Sequence, residues 1–281
     1  EMLRSLVGSE MCIRDSIRIS LAYVIMIILI WIPMARRKSL AFLDVGQGDC
    51  FVADTKSGAI IFDGGSSSED QVGRYRILPY MKYLGYQKIQ IAVISHMDID
   101  HYSGIKELLE MGKIKYLGLP EIPKDETMKK IIGIAKKRGT TIFYLSRGRQ
   151  ITTKDGSLKV LHPQKNSQME KNAASLVMQG KILGYRVLLT GDVEKEGEEE
   201  LLSEELERAD ILKAAHHGSK NSTSNEFLQK VQPKQTVISC GKQNRYGHPH
   251  LETIHRLQTY RTKIYRTDRS GAIIFFKRRD G

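Results

Sequence analysis

The chain has 281 residues, 41% hydrophobic and 27% charged, which is the composition of an ordinary globular protein and not of a disordered one. Three scattered cysteines (Cys12, Cys50, Cys240) form neither a disulfide framework nor a CxxC pair, so a stapled secreted mini-fold and a cysteine-held zinc site are both excluded. The balance of 44 Lys and Arg against 32 Asp and Glu, net +12, favours a polyanionic partner such as nucleic acid or acidic membrane.

Residues 1–16, EMLRSLVGSEMCIRDS, show no helical or strand period that continues beyond Ser16, and are set aside as a non-native or disordered segment. From Ile19 to Ala35 no charge occurs, until Arg36, Arg37 and Lys38 close the run. That length is about the lower limit of 17 residues for a bilayer-crossing helix. Tyr23 and Trp31 suit interfacial positions and no small-residue cleavage site comes after the run, so residues 17–38 are expected to be a transmembrane helix with a basic flank. On that reading the chain is the tail of a longer membrane protein. Removing residues 1–39 leaves 38 bases against 29 acids, so the basic character, +9, belongs to the folded remainder.

Residues 39–281 read as one domain. Leu40–Val45, Cys50–Ala53 and Ala59–Phe62 predict three successive strands, with Gly46, Gly48, Gly58, Asp49 and Asp54 in the turns. Next come a helix over Tyr75–Leu84, a buried strand at Ile91–Ile94, a helix over Gly104–Met111 and a basic helix over Lys124–Lys137, then strands near 141–145 and 157–161. In the second half Leu176–Gln179 and Tyr185–Leu189 predict a hairpin, and Glu194–Leu206 an acidic helix. Ile211–Ala215 is a strand, Phe227–Val231 a short helix, Thr236–Ser239 a strand, Leu251–Tyr260 a helix and Ala272–Phe276 a closing strand. Two comparable halves of this kind predict an α/β protein in which two sheets pack face to face with helices outside, an αββα sandwich.

The densest chemistry lies in SerHisMetAspIleAspHis, residues 95–101, at the carboxyl end of a buried strand. It gathers four potential metal ligands, His96, Asp98, Asp100 and His101, within six residues. Imidazole with carboxylate and no thiolate suits a zinc, iron or manganese site with catalytic character. Adjacent side chains such as Asp100 and His101 diverge, which suits two metals about 3.5–4 Å apart.

This motif, His96-x-Asp98-x-Asp100-His101, resembles the HxHxDH signature of the metallo-β-lactamase superfamily, with Asp98 in place of the second histidine. The replacement resembles the C-terminal hydrolase domain of ComEC-type DNA-internalisation proteins of natural competence. The same holds for PheLeuAspValGlyGlnGlyAsp (42–49), PheAspGlyGly (62–65), LeuThrGlyAsp (189–192), LysAlaAlaHisHisGlySer (213–219) and AsnArgTyrGlyHisPro (244–249). The resemblance covers roughly residues 40–277. It implies the four-layer metallo-β-lactamase sandwich and two divalent ions, Zn or Mn. The ligands it implies are His96, Asp98, Asp100, His101, Asp192 as a bridging carboxylate, and His217 or its neighbour His216.

Read without the family, Asp192 serves equally as a helix cap. Of the two histidines His217 is favoured as ligand, because a His-Gly step closes the site in the wider family; His216 then supports a ligand or meets substrate. The superfamily's further histidine has no counterpart except His162, read as an ordinary strand-end residue, while Asn172–Ser175, AsnAlaAlaSer, occupies the corresponding slot in the subgroup, with Asn172 a weak ligand at best. Asp100 is expected to order the nucleophile and His248, pinned by Pro249, to contact substrate or protonate the leaving group. Asp44, Asp49 and Asp63 are accounted for by turn chemistry, with Asp63 also able to orient a ligand from behind; Ser219 is placed beside the ligands or the substrate.

The function implied is a metal-dependent nuclease or phosphodiesterase cleaving DNA during uptake. The domain would be attached to the membrane through residues 17–38, beside the remainder of a multi-span competence channel. The resemblance implies the extracytoplasmic face, whereas Arg36, Arg37 and Lys38 after the run, blunted by Arg14 and Arg18 before it, point to the cytoplasmic side by the positive-inside rule. Basic stretches at Lys129, Lys130, Lys136, Lys137 and Arg138, and at Arg256, Arg261, Lys263 and Arg266, suit a phosphate backbone. No aromatic ladder that would specify single strands is visible. The alternatives are a membrane-attached phosphodiesterase or esterase acting on a small phosphate substrate, and a catalytically weak DNA-docking module.

Overall fold

The computed structural model describes residues 2–31, 37–169, 172–204 and 206–278, in two units, Glu1–Arg37 and Lys38–Gly281. The first holds a single helix, α1 (Met2–Trp31), which runs without a break through residues 2–16, read from the sequence as non-native or disordered. Arg14, Asp15 and Arg18 lie inside it, and its uncharged part, Ile19–Trp31, is about 20 Å long at 1.5 Å per residue, short of the roughly 30 Å of a bilayer core. Among the described residues no helix is long and apolar enough to cross a membrane, so the expected span is not seen as one. The rest of the uncharged run, Ile32–Ala35, lies outside the described residues.

The second unit begins β1 (Ser39–Phe42), β2 (Phe51–Thr55) and β3 (Gly58–Phe62), then a single π-helical turn, Gly73–Ile77, that leads into α2 (Leu78–Tyr83). Next come β4 (Ile89–Val93), α3 (Ile99–Glu110), β5 (Ile114–Pro120), α4 (Glu126–Lys137) and β6 (Thr141–Leu145). The second half runs β7 (Gln150–Thr153), β8 (Gly156–His162), β9 (Val177–Ile182), β10 (Tyr185–Leu189), α5 (Lys195–Leu202) and β11 (Ile211–Lys213). It closes with α6 (Asn225–Val231), β12 (Gln235–Ile238), α7 (Leu251–Thr259), β13 (Lys263–Arg266), α8 (Thr267–Ser270) and β14 (Ile273–Phe276).

Two seven-stranded sheets result, ordered β14-β1-β2-β3-β4-β5-β6 and β13-β12-β11-β10-β9-β8-β7. Each is antiparallel at one end and parallel at the other: β3 to β6 in the first, β10 to β13 in the second. Strand alternation separates the layers. Leu40, Phe42, Phe51, Ile60 and Phe62 face the second sheet and meet Val160, Met178, Val187 and Leu189 in the central core. Ala41, Val52 and Ile61 face outward, under Ile77, Met81, Ile105, Leu108 and Ile131 of the helices. Leu188, Leu212 and Ile238 lie likewise under Leu201, Phe227, Leu228 and Leu257. The sandwich is thus αββα, as the pattern of runs predicts.

Two differences bear on the site. Helix α3 starts at Ile99 and not near residue 104, so Asp98 is its N-cap and Asp100 and His101 fall in its first turn. Strand β11 ends at Lys213, and Ala215–Gly218 form a tight 3₁₀ turn in which His216 and His217 take φ of 45° and 52°. Two consecutive left-handed residues other than glycine project their side chains where a continued strand would not.

Candidate metal centre

The site lies at the carboxyl ends of parallel neighbours, where strands stop and their loops turn out of the core. After β4, Ile94 and Ser95 lead to His96, and the chain enters α3 through Asp98. Asp63, directly after the adjacent β3, accepts the Ser95 N–H at 2.7 Å and ties the two strand ends together. The glycine motifs act through the backbone. A Cβ on Gly48 would stand 2.2 Å from the Gly65 carbonyl oxygen, and one on Gly65 would stand 2.5 Å from that of Ile99. Asp49 N–H donates to Asp100 O at 3.0 Å and Gly64 N–H to His101 O at 2.8 Å. The loops at 44–49 and 62–65 therefore form a main-chain cradle for the first turn of α3, and only glycine allows so close an approach.

The other half supplies Asp192, after β10, with its N–H on Ser175 Oγ at 3.3 Å, and His217 from the 3₁₀ turn. His96, His101, Asp192 and His217 are all buried. Asp192 Oδ2 stands 3.2 Å from His101 Nε2 and 3.3 Å from His217 Nε2, and Asp100 Oδ2 stands 3.4 Å from the same His217 nitrogen. Asp98, half exposed at the mouth, brings Oδ2 to 3.7 Å from His96 Nε2.

Each of the three imidazoles is fixed from behind. Nδ1 of His96 meets Ser95 Oγ at 3.0 Å, Nδ1 of His101 meets Asp63 Oδ2 at 3.0 Å, and Nδ1 of His217 donates to Ser239 O at 2.9 Å. All three present Nε2 forward. Those three nitrogens and Asp192 Oδ1 are buried without a hydrogen-bond partner, an arrangement that costs on the order of 1–3 kcal/mol per group unless something else satisfies it. Ligand atoms of His96, His101 and Asp192 lie within 4.8 Å of one another, as do those of Asp100, His101 and His217. A buried set of imidazole and carboxylate donors with outer nitrogens already tied fits divalent metal.

Charges set the protonation of the metal-free site. Burial, and then the neighbouring His101, push His96 down to about 3, so it is neutral at pH 7. Burial works against charge on His101 and His217 too, but Asp192 holds both well above the ordinary imidazole value, aided by Asp63 for His101 and by Asp49 for His217. Burial likewise opposes ionisation of Asp192, and those two histidines hold it well below the usual carboxylate range.

Two residues enter the centre that the sequence reading leaves out. Asp49, read as a turn residue, is buried with Oδ1 3.6 Å from His217 Nδ1 and Oδ2 3.8 Å from His101 Nδ1. Lys213 is buried, forms an ion pair with Asp49 and stands 3.8 Å from Asp192 Oδ1. The signal for Lys213 was present, since a lysine inside the apolar run Ile211–Ala215 has to be paired to be buried. The turn explanation of Asp49 is corrected by its burial and its partners.

The remaining candidates divide. His216 is half-buried at the rim, its Nδ1 2.7 Å from Glu194 Oε1 and its Nε2 3.8 Å from Asp192 Oδ2. His248 is half-buried, with ring centroids 6.0 Å from His217 and 5.4 Å from His216; burial, then His217, His216 and His250 push it down to about 4. Ser219 Oγ accepts from Asn221 N–H at 3.3 Å and shapes the turn after His217. Within the 172–175 slot, Ser175 Oγ accepts the Asp192 N–H, and Asn172 gives its carbonyl to the Ser175 N–H at 3.0 Å. His162 lies elsewhere, with Nε2 donating to Ala173 O at 2.7 Å and Nδ1 3.2 Å from Glu200. Of the basic residues, Arg256 is spent on the carbonyls of Lys220, Ser222 and Thr223, and Arg266 on Asp268, whereas Lys129, Lys130, Lys136 and Lys137 are exposed along α4.

A four-layer αββα sandwich with a buried His/Asp centre at its strand ends defines a class, and the family comparison agrees: residues 43–242 match the metallo-beta-lactamase superfamily, to which this chain belongs. Its homologues are ComEC-type competence proteins. It is 35% identical over 278 residues to ComE operon protein 3 of Bacillus subtilis (strain 168), covering 92% of this chain and 35% of that protein. It is 30% identical over 248 residues to Competence protein ComA of Neisseria gonorrhoeae, covering 85% of this chain and 32% of that one. The chain thus spans about a third of the length of these relatives. Among solved structures, the metallo-beta-lactamase fold protein YhfI of Bacillus subtilis superposes with a TM-score of 0.55 at 13% identity, covering 84% of this chain and 99% of that one.

Proposed function

We propose that this domain is a metal-dependent phosphodiesterase that cleaves DNA during DNA uptake. The observation that carries the reading is the convergence of three rear-anchored imidazole Nε2 atoms on Asp192, all buried and otherwise unsatisfied. His96 and Asp98 would hold one divalent ion, zinc or manganese, and Asp100, His101 and His217 the other, with Asp192 shared. His216, steadied by Glu194, stands beside Asp192 at the rim. When bound, such a pair of ions acidifies water and neutralises phosphate charge.

The chain's own groups do the rest. Asp100 reaches both the centre and the solvent side, where it orients the attacking water. His248, neutral at pH 7 in the free protein, serves first as a hydrogen bond donor to a phosphate oxygen; protonating a leaving oxygen requires the anionic substrate to raise it. The main-chain cradle under α3 keeps Asp100 and His101 in place while substrate binds. The net charge of +9 over residues 40–281 and the names of the relatives support DNA as substrate, and those names together with the uncharged run Ile19–Ala35 support attachment to a membrane beside the rest of a competence channel; the extracytoplasmic face is assigned by the likeness to competence proteins alone.

The test is cleavage of fluorescent single- and double-stranded DNA in Mn²⁺, Zn²⁺ or EDTA, beside an Asp100→Ala/His101→Ala double variant. Metal-dependent cleavage that the double variant loses is the expected result. Tight, salt-sensitive DNA binding without cleavage would replace the reading with a docking module, and hydrolysis confined to small phosphodiesters would remove DNA from it.

A further inference from the structure

Three aromatic rings stand in file from the metal centre to the surface. The His217 ring faces that of His248 at 6.0 Å and 30°, and His248 faces Tyr246 at 5.6 Å and 21°. His217 is buried, His248 half-buried and Tyr246 42% exposed, so the file leads outward. Its outer part is held from within the loop. The Asn244 side chain accepts the His248 N–H at 2.9 Å and donates to His248 O at 2.6 Å and to Gly241 O at 2.9 Å. Gly247, at φ 70°, turns the chain between the two rings. The exposed Arg245 guanidinium lies 4.8 Å from the Tyr246 ring, with one N–H on its hydroxyl at 2.6 Å. Core packing does not account for an exposed tyrosine stacked on a site histidine and flanked by an arginine.

We propose that Tyr246, with Arg245, is a stacking subsite for an unpaired nucleobase next to the phosphate held at the His217–His248 end. The proposal rests on the phosphodiesterase reading and adds strand selection to it. Every base has a π-face, which aromatic rings and guanidinium planes both accept, but inside a duplex those faces are covered by neighbouring base pairs. A platform of this kind engages single strands and frayed ends without reading sequence. Arg245 meets the negative backbone of the same strand. The rings come from two motifs, 213–219 and 244–249, that are separated in sequence, which is why no ladder is visible in the linear chain.

The experiment measures kcat/KM of the full chain in Mn²⁺ on a single-stranded oligonucleotide, on the same oligonucleotide with an abasic site at each position in turn, and on bis(p-nitrophenyl) phosphate. Tyr246→Ala is expected to lower the ratio of oligonucleotide to small-diester kcat/KM about 10–100-fold, chiefly through KM, with Tyr246→Trp restoring it. One abasic position should reproduce that loss in the wild type and add nothing to Tyr246→Ala. An unchanged ratio in Tyr246→Ala, whether both substrates are retained or both are lost together, overturns the subsite and leaves the nuclease reading standing. A wild-type chain that cleaves the small diester and not DNA removes both.

Discussion

Lys213 is a permanent cation inside the donor set. It bridges Asp49 and the Asp192 carboxylate, and burial alone would discharge it were those two acids not holding its pKa above the usual lysine value. Lys213→Met would leave two buried carboxylates without that cation, and breaking such a pair costs about 3–5 kcal/mol. At roughly 2–4 °C per kcal/mol for a domain of this size, the metal-free Tm should fall by about 6–20 °C, and Mn²⁺ should recover more stability in the variant than in the wild type. Calorimetry with and without EDTA checks this, and equal metal-free Tm values would count against it. Asp63 works differently, because its two oxygens accept from Ser95 N–H and meet His101 Nδ1. Asp63→Asn should weaken metal binding about 10–100-fold in titration calorimetry. At this scale the 95–101 motif was legible because its ligand types sit together. Asp49 was not, because its partners lie across the fold; the lysine inside the apolar run Ile211–Ala215 signals a buried pairing, but not the acids that make it, which also lie across the fold.

The 3₁₀ turn at Ala215–Gly218 shows how an element can position a side chain at some energetic cost. Left-handed φ costs an ordinary residue about 1–2 kcal/mol, and His216 and His217 both adopt it. Gly218 comes next at φ 84°, where a Cβ would stand 2.6 Å from Pro249 Cβ. Gly218→Ala should therefore push Pro249, and with it His248, away from the centre. Both Tm and kcat/KM should fall, by several degrees and at least tenfold. Gly247→Ala is the control, since at φ 70° it meets nothing within 4 Å and should show the strain alone. Comparable activity in the two alanine variants would remove the Pro249 contact from the account. Most strands and helices were legible from apolar runs and their spacing. Strands β7 and β13 escaped because Gln150–Thr153 and Lys263–Arg266 are short, polar edge strands, and β5, inside the first sheet, escaped because Lys115, Gly118 and Pro120 interrupt its apolar run. The start of α3 escaped because Asp98 reads as a ligand before it reads as a cap.

Over the whole molecule, the last strand closes the first sheet. β14 pairs with β1 from Ser39↔Phe276 to Phe42↔Ile273, and Ile273 and Phe275 fill the core between the sheets. Ending the chain after Ser270 would bare the β1 edge and remove two buried side chains worth roughly 1.5–3 kcal/mol each. Such a chain should lose its cooperative unfolding transition and aggregate. The four-layer sandwich was readable from the two similar halves of the sequence. This closure was not, because a strand run does not name its partner.

The centre also sets how the whole chain responds to pH. His96, pushed down to about 3, takes up a proton on unfolding at any pH between there and its unfolded value near 6.5, so stability falls as pH drops below 6.5. His101 and His217 are raised well above 6.5, so what they contribute is complete below 6.5 and is lost as pH climbs toward their folded values. The metal-free protein should accordingly be most stable near pH 6.5, each such proton giving a slope of about 1.4 kcal/mol per pH unit. Metal must displace the protons of His101 and His217, so its affinity should rise with pH and its uptake release protons. Calorimetric scans from pH 5 to 9 should show the alkaline limb in EDTA and not in Mn²⁺, with the optimum moved upward by the ion. The same optimum in both would mean that these histidines are not protonated partners of Asp192 in the metal-free protein, and the charge assignment of the centre would have to be redrawn.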